Sequence, residues 1–455
     1  MLADRTQTEA IERLRTYPLL ETLFTRRSRR ISRGASFRSG VLTFSSTHDP
    51  QSVSPLEEAV LIAATSRTGV TFADSPFLDE EGGPLLPTPL MSASGGASAS
   101  PDQAFPTRFF MWNDSGTYFI RHPEESAPPV NAFELAAEEL LAYVEGLKVK
   151  VSDRRPDFPR RFPAYLGRNR YSSNVPGSTV FVPLVEATEQ YINGLLLILS
   201  HPNGQRPAVL DDFNFYRPAG CGRWIRSGFL NREIKMPLGL YAKGRVDYEA
   251  LLLTQNLALV AAAIGLGGWL HSTFPPIMLL GGTEYGEGLG FRFEPTAVVG
   301  PKRVIRRAVR LRRMLRPFPA GLPNPVGLDG VLESHCPPYY ANMDAAIDAV
   351  LAKKVGPAGL YEDPQFFART LRPELVQDFM EQTPRYDEES VACLRAICNY
   401  IYDRYGRFPA HCNAIEAPGI CFQVHHVDSD YYDRFFQPRY SRAEREHQRL
   451  WHGED

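Results

Sequence analysis

The sequence predicts an α+β protein, and three observations carry that reading. The segments SPLEEAVLIAATS and NAFELAAEELLAYVEGL pair helix-start residues with apolar residues at helical spacing. The segment TRFFMWNDSGTYFIRHP reads as a hairpin turning at residues 113–116. Beyond residue 300 the composition changes abruptly, which predicts a further α/β portion. At 455 residues and 43% hydrophobic, the chain is long enough for two or three domains around sizeable cores.

Charge and cysteine usage narrow the class. A net charge of −2 argues against a dedicated nucleic-acid binder, which carries a basic excess. The opening residues mix acids and bases without a long apolar run, unlike a secretory or transit peptide. Six sparse cysteines with no CxxC fit free thiols in a reducing, cytoplasmic setting.

Along the chain, residues 1–24 read as an amphipathic helix with Ile11, Leu14 and Leu19 or Leu20 on its apolar face. The basic cluster TRRSRRISRG follows. Ser54, Pro55 and Glu57 then form a helix start with a capping box. Residues 74–106, rich in Gly, Pro and Ser, read as a long loop. After the hairpin comes a helix with Asn131 as its cap and Glu134 three residues on. Residues 180–182 and 195–199 read as strands, and 211–235 as irregular and aromatic.

Residues 251–270 are the most apolar stretch and are long enough to cross a bilayer. Gln255, Asn256 and three glycines lie inside or at its end, and Asp247 and Glu249 lead into it. We therefore read it as a buried helix and expect no membrane association. Residues 291–293 and 297–299 are strand-like. The segment PKRVIRRAVRLRRMLRPFP holds eight bases and no acid, and a Pro/Gly-rich stretch follows. The expected division is a domain over residues 1–300, a linker over 301–330 and a C-terminal portion over 331–455. Helices are expected at 343–353, 373–381 and 387–404, and a strand at GICFQVHHVDSD.

Three separated pieces point to chemistry. Arg26, Arg27, Ser28 and Arg30 suit a dianionic phosphate, through charge-assisted guanidinium bonds and one hydroxyl. Residues 92–100 are small, freeing backbone amides for close approach to a ligand. Gly265, Gly267 and Gly268 remove side chains at the end of the apolar helix, where a planar ring can pack. Taken singly, each also fits a plain role: a solvated basic face, a surface loop, a helix stop with tight packing.

Together the three pieces resemble the nitroreductase-like flavoprotein superfamily. Arg26, Arg27, Ser28 and Arg30 match its RRSxR motif, and QNLALVAAAIGLGGW looks like its QN-x-x-LAA-x-x-x-GLG segment. Within that superfamily the longer, azoline-oxidising dehydrogenase-type branch is the nearest likeness. Its serine/glycine flavin loop is matched approximately at residues 92–97, with Ser94 and Gly95 as the candidate contacts. The resemblance implies an antiparallel-sheet core flanked by helices, bound FMN and a homodimer with the apolar helix in the interface. It implies ping-pong hydride transfer from NAD(P)H to an electron-poor small molecule or modified metabolite. Lys235, in NREIKMPLG, is the candidate catalytic cation for the reduced ring, with Arg30 as a second possibility.

Two other readings stand beside it. A flavin-less member of the same scaffold would bind a partner or metabolite. A metalloenzyme would centre on His426 and Asp428, taken to share a strand face, with His335 or His411 as a further ligand. The leading reading assigns no metal ligand. Cys336 and Cys412 are candidate nucleophiles outside any recognised signature.

Overall fold

Alternation along Thr107–Asn113 sets the architecture. Phe109 and Met111 face one side of this strand, Phe110 and Trp112 the other, and all four are buried. A strand apolar on both faces has to be covered on both. It lies inside a seven-stranded antiparallel sheet. The order is Gly267–His271, Cys421–His425, Thr179–Glu186, Thr107–Asn113, Gly116–Ile120, Lys148–Ser152, and Ile415–Glu416 also pairs with Thr179–Glu186. The computed structural model describes residues 2–70, 82, 91–92, 94–100, 103–123, 130–201, 204–242, 244–281, 288–295, 323–368, 371–383, 385–437 and 439–453.

The protein is a mixed α+β fold. Helices Leu2–Arg15, Pro55–Ala63, Ala137–Leu147 and Gly244–Ile264 cover one face of the sheet, against Phe109, Met111, Phe181, Phe422 and Val424. Phe158, Tyr165, Phe274 and residues 278–280 cover the other, against Phe110, Trp112, Val180 and Val182. A third core packs helix Ala187–Leu199 against Met343–Val355 and Glu388–Tyr405. Beside it lies a second sheet of Arg217–Pro218, Pro207–Asp211 and Asn231–Pro237.

Several expected elements form as read. The hairpin turns with Asn113 opposite Gly116, and the Asn113 side chain accepts from Ser115 N. The Ser54–Glu57 capping box is complete. Helices Met343–Val355, Pro373–Gln382 and Glu388–Tyr405 lie where periodicity puts them. Among the described residues no helix is long and apolar enough to cross a membrane. All six cysteines are free and buried, and burial pushes Cys336 up to about 12, which leaves it a poor nucleophile.

Other expectations change. Residues 1–24 form two helices, Leu2–Arg15 and Leu19–Thr25, because Pro18 interrupts the run. Residues 195–199 are helical: an apolar run buried all round has no period to separate strand from helix. The cap before Ala137–Leu147 is Ala136, whose N–H donates to Glu139; Asn131 makes a turn with Phe133. The apolar helix ends at Ile264, and Gly267 and Gly268 belong to a strand. Residues 297–299 and the basic run over 302–316 lie outside the described residues.

The largest change concerns residues 331–455. Strand Cys421–His425 sits between Gly267–His271 and Thr179–Glu186 in the central sheet. A division at residue 301 therefore does not separate two sheets. Phe422 and Val424 fill the same core as Met111 and Phe181.

Two outcomes follow from this arrangement. A chain ending at residue 300 exposes the paired edges of Gly267–His271 and Thr179–Glu186. It should aggregate and show no cooperative thermal transition; a soluble fragment that unfolds cooperatively would refute the shared sheet. His271 is 5% exposed, and burial pushes its imidazole down to about 3 from 6.5. The unfolded chain binds this proton below pH 6.5 and the folded chain does not. Its contribution to stability is therefore complete above pH 6.5 and is lost as pH falls from 6.5 towards 3. In urea titrations across that window, His271→Phe should show a shallower loss than the parent.

Candidate metal centre

Four side chains from three parts of the chain meet in the interior. Glu57 lies in the first turn of Pro55–Ala63, and its Oε2 accepts Ser54 N at 2.6 Å, so the capping box fixes the carboxylate. His426 follows strand Cys421–His425 directly. His447 ends helix Arg442–His447, and His452 ends the π-helical turn Gln448–His452. In a regular α-helix, residues five apart point about 140° away from each other. The wider π-helical turn brings both imidazoles to one side, with ring centroids 5.4 Å apart.

One donor atom from each of Glu57, His426, His447 and His452 lies within 4.8 Å of the others. His447 Nε2 is 3.1 Å from His426 Nδ1 and 3.2 Å from Glu57 Oε1, and His452 Nε2 is 3.2 Å from Glu57 Oε1. Donors bonded at 2.0–2.1 Å to one tetrahedral ion stand about 3.3 Å apart. Glu57 and His426 are fully buried at the side chain, His447 is 5% exposed and His452 15%.

The backbone decides which ring nitrogens face inward. His447 Nδ1 lies 2.6 Å from Ile264 O, and His426 Nε2 lies 3.2 Å from Ser52 O. A carbonyl only accepts, so each of these nitrogens donates to it when protonated. His447 Nε2 and His426 Nδ1 face each other at 3.1 Å, with Glu57 Oε1 3.2 Å from His447 Nε2. The two carbonyls stand where outer partners would orient metal-bound imidazoles.

The protonation states agree. Burial pushes His426 down to about 3, and also lowers His447. Burial alone would raise Glu57. The hydrogen bond from His452, and the positive charge that His447 and His426 carry when protonated, overcome it and bring the carboxyl down to about 2. Neutral imidazoles and an ionised carboxylate are the forms that bind a metal ion.

Sequence reasoning found His426 and missed its partners. Asp428 caps Ser429–Phe435 by accepting Tyr431 N, and also accepts from Ser46. It takes no part in the cluster, because the strand ends at His425 and alternation stops there. His335 stands near Glu186 and Glu189, whose carboxylates are engaged by Thr188 and Lys353. His411 pairs with Asp212 at 2.7 Å and stacks on Phe213.

The three pieces expected to hold a flavin meet only in part. Arg29 O lies 3.0 Å from where a Cβ on Gly267 would sit, and the Arg30 guanidinium stands 5.2 Å over the Trp269 ring. The run and the glycines, more than two hundred positions apart, are therefore neighbours in one chain. Arg29 is buried and bonded to Glu444 at 2.8 Å, while Arg27, Ser28 and Arg30 are exposed and Arg26 half-buried. The groove beside Arg30, Ser32 and Arg33 holds about 150 Å³, below the roughly 300 Å³ of the smallest usual ligand pockets.

The spaces left by the glycines are filled by protein. A Cβ on Gly265 would lie 2.4 Å from Ala443 O, on Gly267 2.9 Å from Val427, and on Gly268 2.6 Å from Phe422. The candidate phosphate side is accessible, and the candidate ring side is closed by chain. Ser94 and Gly95 belong to strand Ser94–Gly96, paired with Arg67–Val70; this register sets Arg67 opposite Gly96. Asn256, in the middle of the long helix, binds Ala97 O at 2.7 Å, so this segment meets the helix well before its glycine end. Lys235 is exposed on the second sheet, in Asn231–Pro237, away from the strand that carries Gly267.

The chain matches no protein-family model and no curated protein.

If the glycines serve contact with Ala443 and His447, a side chain at Gly265 is costly on two counts. Its φ is +89°, and the nearest atom is backbone. Gly265→Ala should lower stability by about 1–3 kcal/mol in chemical denaturation. An unchanged midpoint would remove this account of the glycine.

Proposed function

We propose that this chain is a metalloprotein. Its ion is a zinc-class divalent cation held by Glu57 Oε1, His426 Nδ1, His447 Nε2 and His452 Nε2. The observation that carries the reading is the meeting of one donor atom from each of these four side chains within 4.8 Å of the others, with His447 Nε2 and His426 Nδ1 3.1 Å apart. Three imidazoles and one carboxylate suit a borderline ion of zinc type better than magnesium or calcium, which prefer oxygen. Four protein donors complete a tetrahedral shell. Such a closed site holds structure together and keeps no open position for a substrate. Here it would join the Pro55–Ala63 helix, the end of the Cys421–His425 strand and the last helix of the chain.

Elemental analysis of protein purified without added metal should find about one zinc-class ion per chain. Cobalt added to metal-stripped protein should give the visible absorption of a tetrahedral site. His447→Ala and Glu57→Gln should each weaken binding by at least about tenfold. Trace metal only, with no cobalt spectrum, would end the reading.

A second reading keeps FMN-dependent oxidoreduction, favoured by the neighbouring positions of Arg30, Trp269 and Gly267 and by the accessible Arg27 and Ser28. Bound FMN would supply hydride transfer. Arg26, Arg27 and Ser28 would hold its phosphate, with the ring outside the filled glycine contacts. Exposed Leu23, Phe24, Leu251 and Leu252 would give a second copy an apolar face to cover. Purified protein should then be yellow, bleach with NADH or NADPH, and lose its flavin on Arg27→Ala. Colourless protein that leaves added FMN unbound would dismiss it.

A further inference from the structure

We infer that the ion is a clasp: its binding docks residues 429–453 onto the body of the protein, and its removal uncovers the Gly265–Gly267 edge and Arg29. This deepens the metalloprotein reading and rests on it.

Three of the four donors, His426, His447 and His452, come from the last part of the chain, and one, Glu57, from the first helix–sheet layer. Between His426 and the end of the described chain, few apolar side chains are buried: Tyr431, Ala443 and Leu450. A segment of that length gains little from apolar burial relative to the order it gives up. Its first part also packs Tyr431 and Phe435 on Phe44, Tyr432 Oη accepts Arg30 N and Ile31 N, and Trp451 packs on the helical core, whereas its ionic ties lie at the rim. Arg13 meets Glu446 at 3.2 Å, Arg442 meets Glu21 at 2.7 Å, and Arg449 meets Glu9 at 3.3 Å, all partly exposed. Such pairs contribute little each. Arg29 with Glu444, at 2.8 Å and 10% exposure on both sides, is the buried exception.

The cluster ties this segment to the rest through Glu57 and His426, and in the metalloprotein reading the strength of that tie depends on something outside the chain. The ion would tie the Arg442–His447 helix to the sheet through His447 Nε2 and His426 Nδ1, which stand 3.1 Å apart. That helix covers the glycine end of the long helix, with Ala443 O against Gly265 and His447 on Ile264 O. Undocking it also removes the partners of Arg29, Glu444 and Arg439 O. The accessible basic run would then gain a fourth arginine beside bared glycine backbone. The ion thus sets whether this surface is covered or open.

The test uses the full chain and needs no variant. Hydrogen exchange is followed by mass spectrometry in the metal-stripped protein and with free zinc at about 100 times its dissociation constant. Protection of residues 429–453 should rise about 100-fold with zinc. Peptides from Ala187–Leu199 and Glu388–Tyr405 should stay unchanged. Tryptic cleavage after Arg439, Arg442 and Arg445 should accelerate on chelation. Protection of 429–453 that ignores a cobalt or zinc ion shown to bind would overturn the clasp and leave the metal site standing. Loss of protection everywhere at once would overturn it too, since the ion would then be a condition for the whole fold. Failure of any metal to bind would overturn both. At the same free zinc, Glu57→Gln should cut the zinc-dependent protection of 429–453 by at least about tenfold, while retaining the exchange pattern of Ala187–Leu199.

Discussion

A carboxylate with no solvent exposure sits at the centre of this protein, and much of the structure answers to it. Taking Glu57 out of water is unfavourable unless its charge is met. One oxygen is met by the N–H of Ser54, and the other faces His447 and His452. Burial lowers the pKa of His447 and of the neighbouring His426, which disfavours their charged forms. In the proposed metalloprotein a bound cation would meet the carboxylate's charge. Glu58, next in sequence, shows the contrast. It is buried with Asn113 and Thr179 as donors, and burial raises its pKa, the usual fate of a carboxyl without a cation.

The central sheet gives this cluster its stage. Strand Cys421–His425 enters between Gly267–His271 and Thr179–Glu186, both from much earlier in the chain, so neither half of the chain completes the sheet alone. His426 leaves that strand beside Ser52 and Glu57 because the register with Gly267–His271 pins His425 opposite Gly267. A slip of one residue would turn His426 into the opposite core. The same strand carries Phe422 and Val424 into the helical face, so the packing that fixes the register also aims the His426 imidazole.

Glycines at the end of an apolar helix mean close approach, but they do not say of what. Here the approaching groups are Ala443, Val427, Phe422 and the carbonyl of Arg29. The arginine run is divided in the same way. Arg29 turns inward to Glu444, while Arg27, Ser28 and Arg30 face solvent. Residues 301–322, which hold eight bases, lie outside the described residues.

By itself the sequence determined the elements whose signals are local. The Ser54–Glu57 capping box, the hairpin turning at Asn113 and Gly116, and the helix with Leu394, Cys398, Ile401 and Tyr405 on its buried stripe all follow from residues a few positions apart. His426 was legible as a chemically able residue for the same reason. Tertiary structure alone decided that residues 331–455 share the central sheet, that Asp428 caps a helix, and that Glu57, His447 and His452 surround His426. The spacing of His447 and His452 matches no α-helical period, and only the π-helical turn makes them neighbours. Glu57 reads as a capping residue, and its second oxygen has no local signature. Pairings across almost four hundred residues are fixed by strand register and the burial of Phe422 and Val424, which no short window of sequence contains.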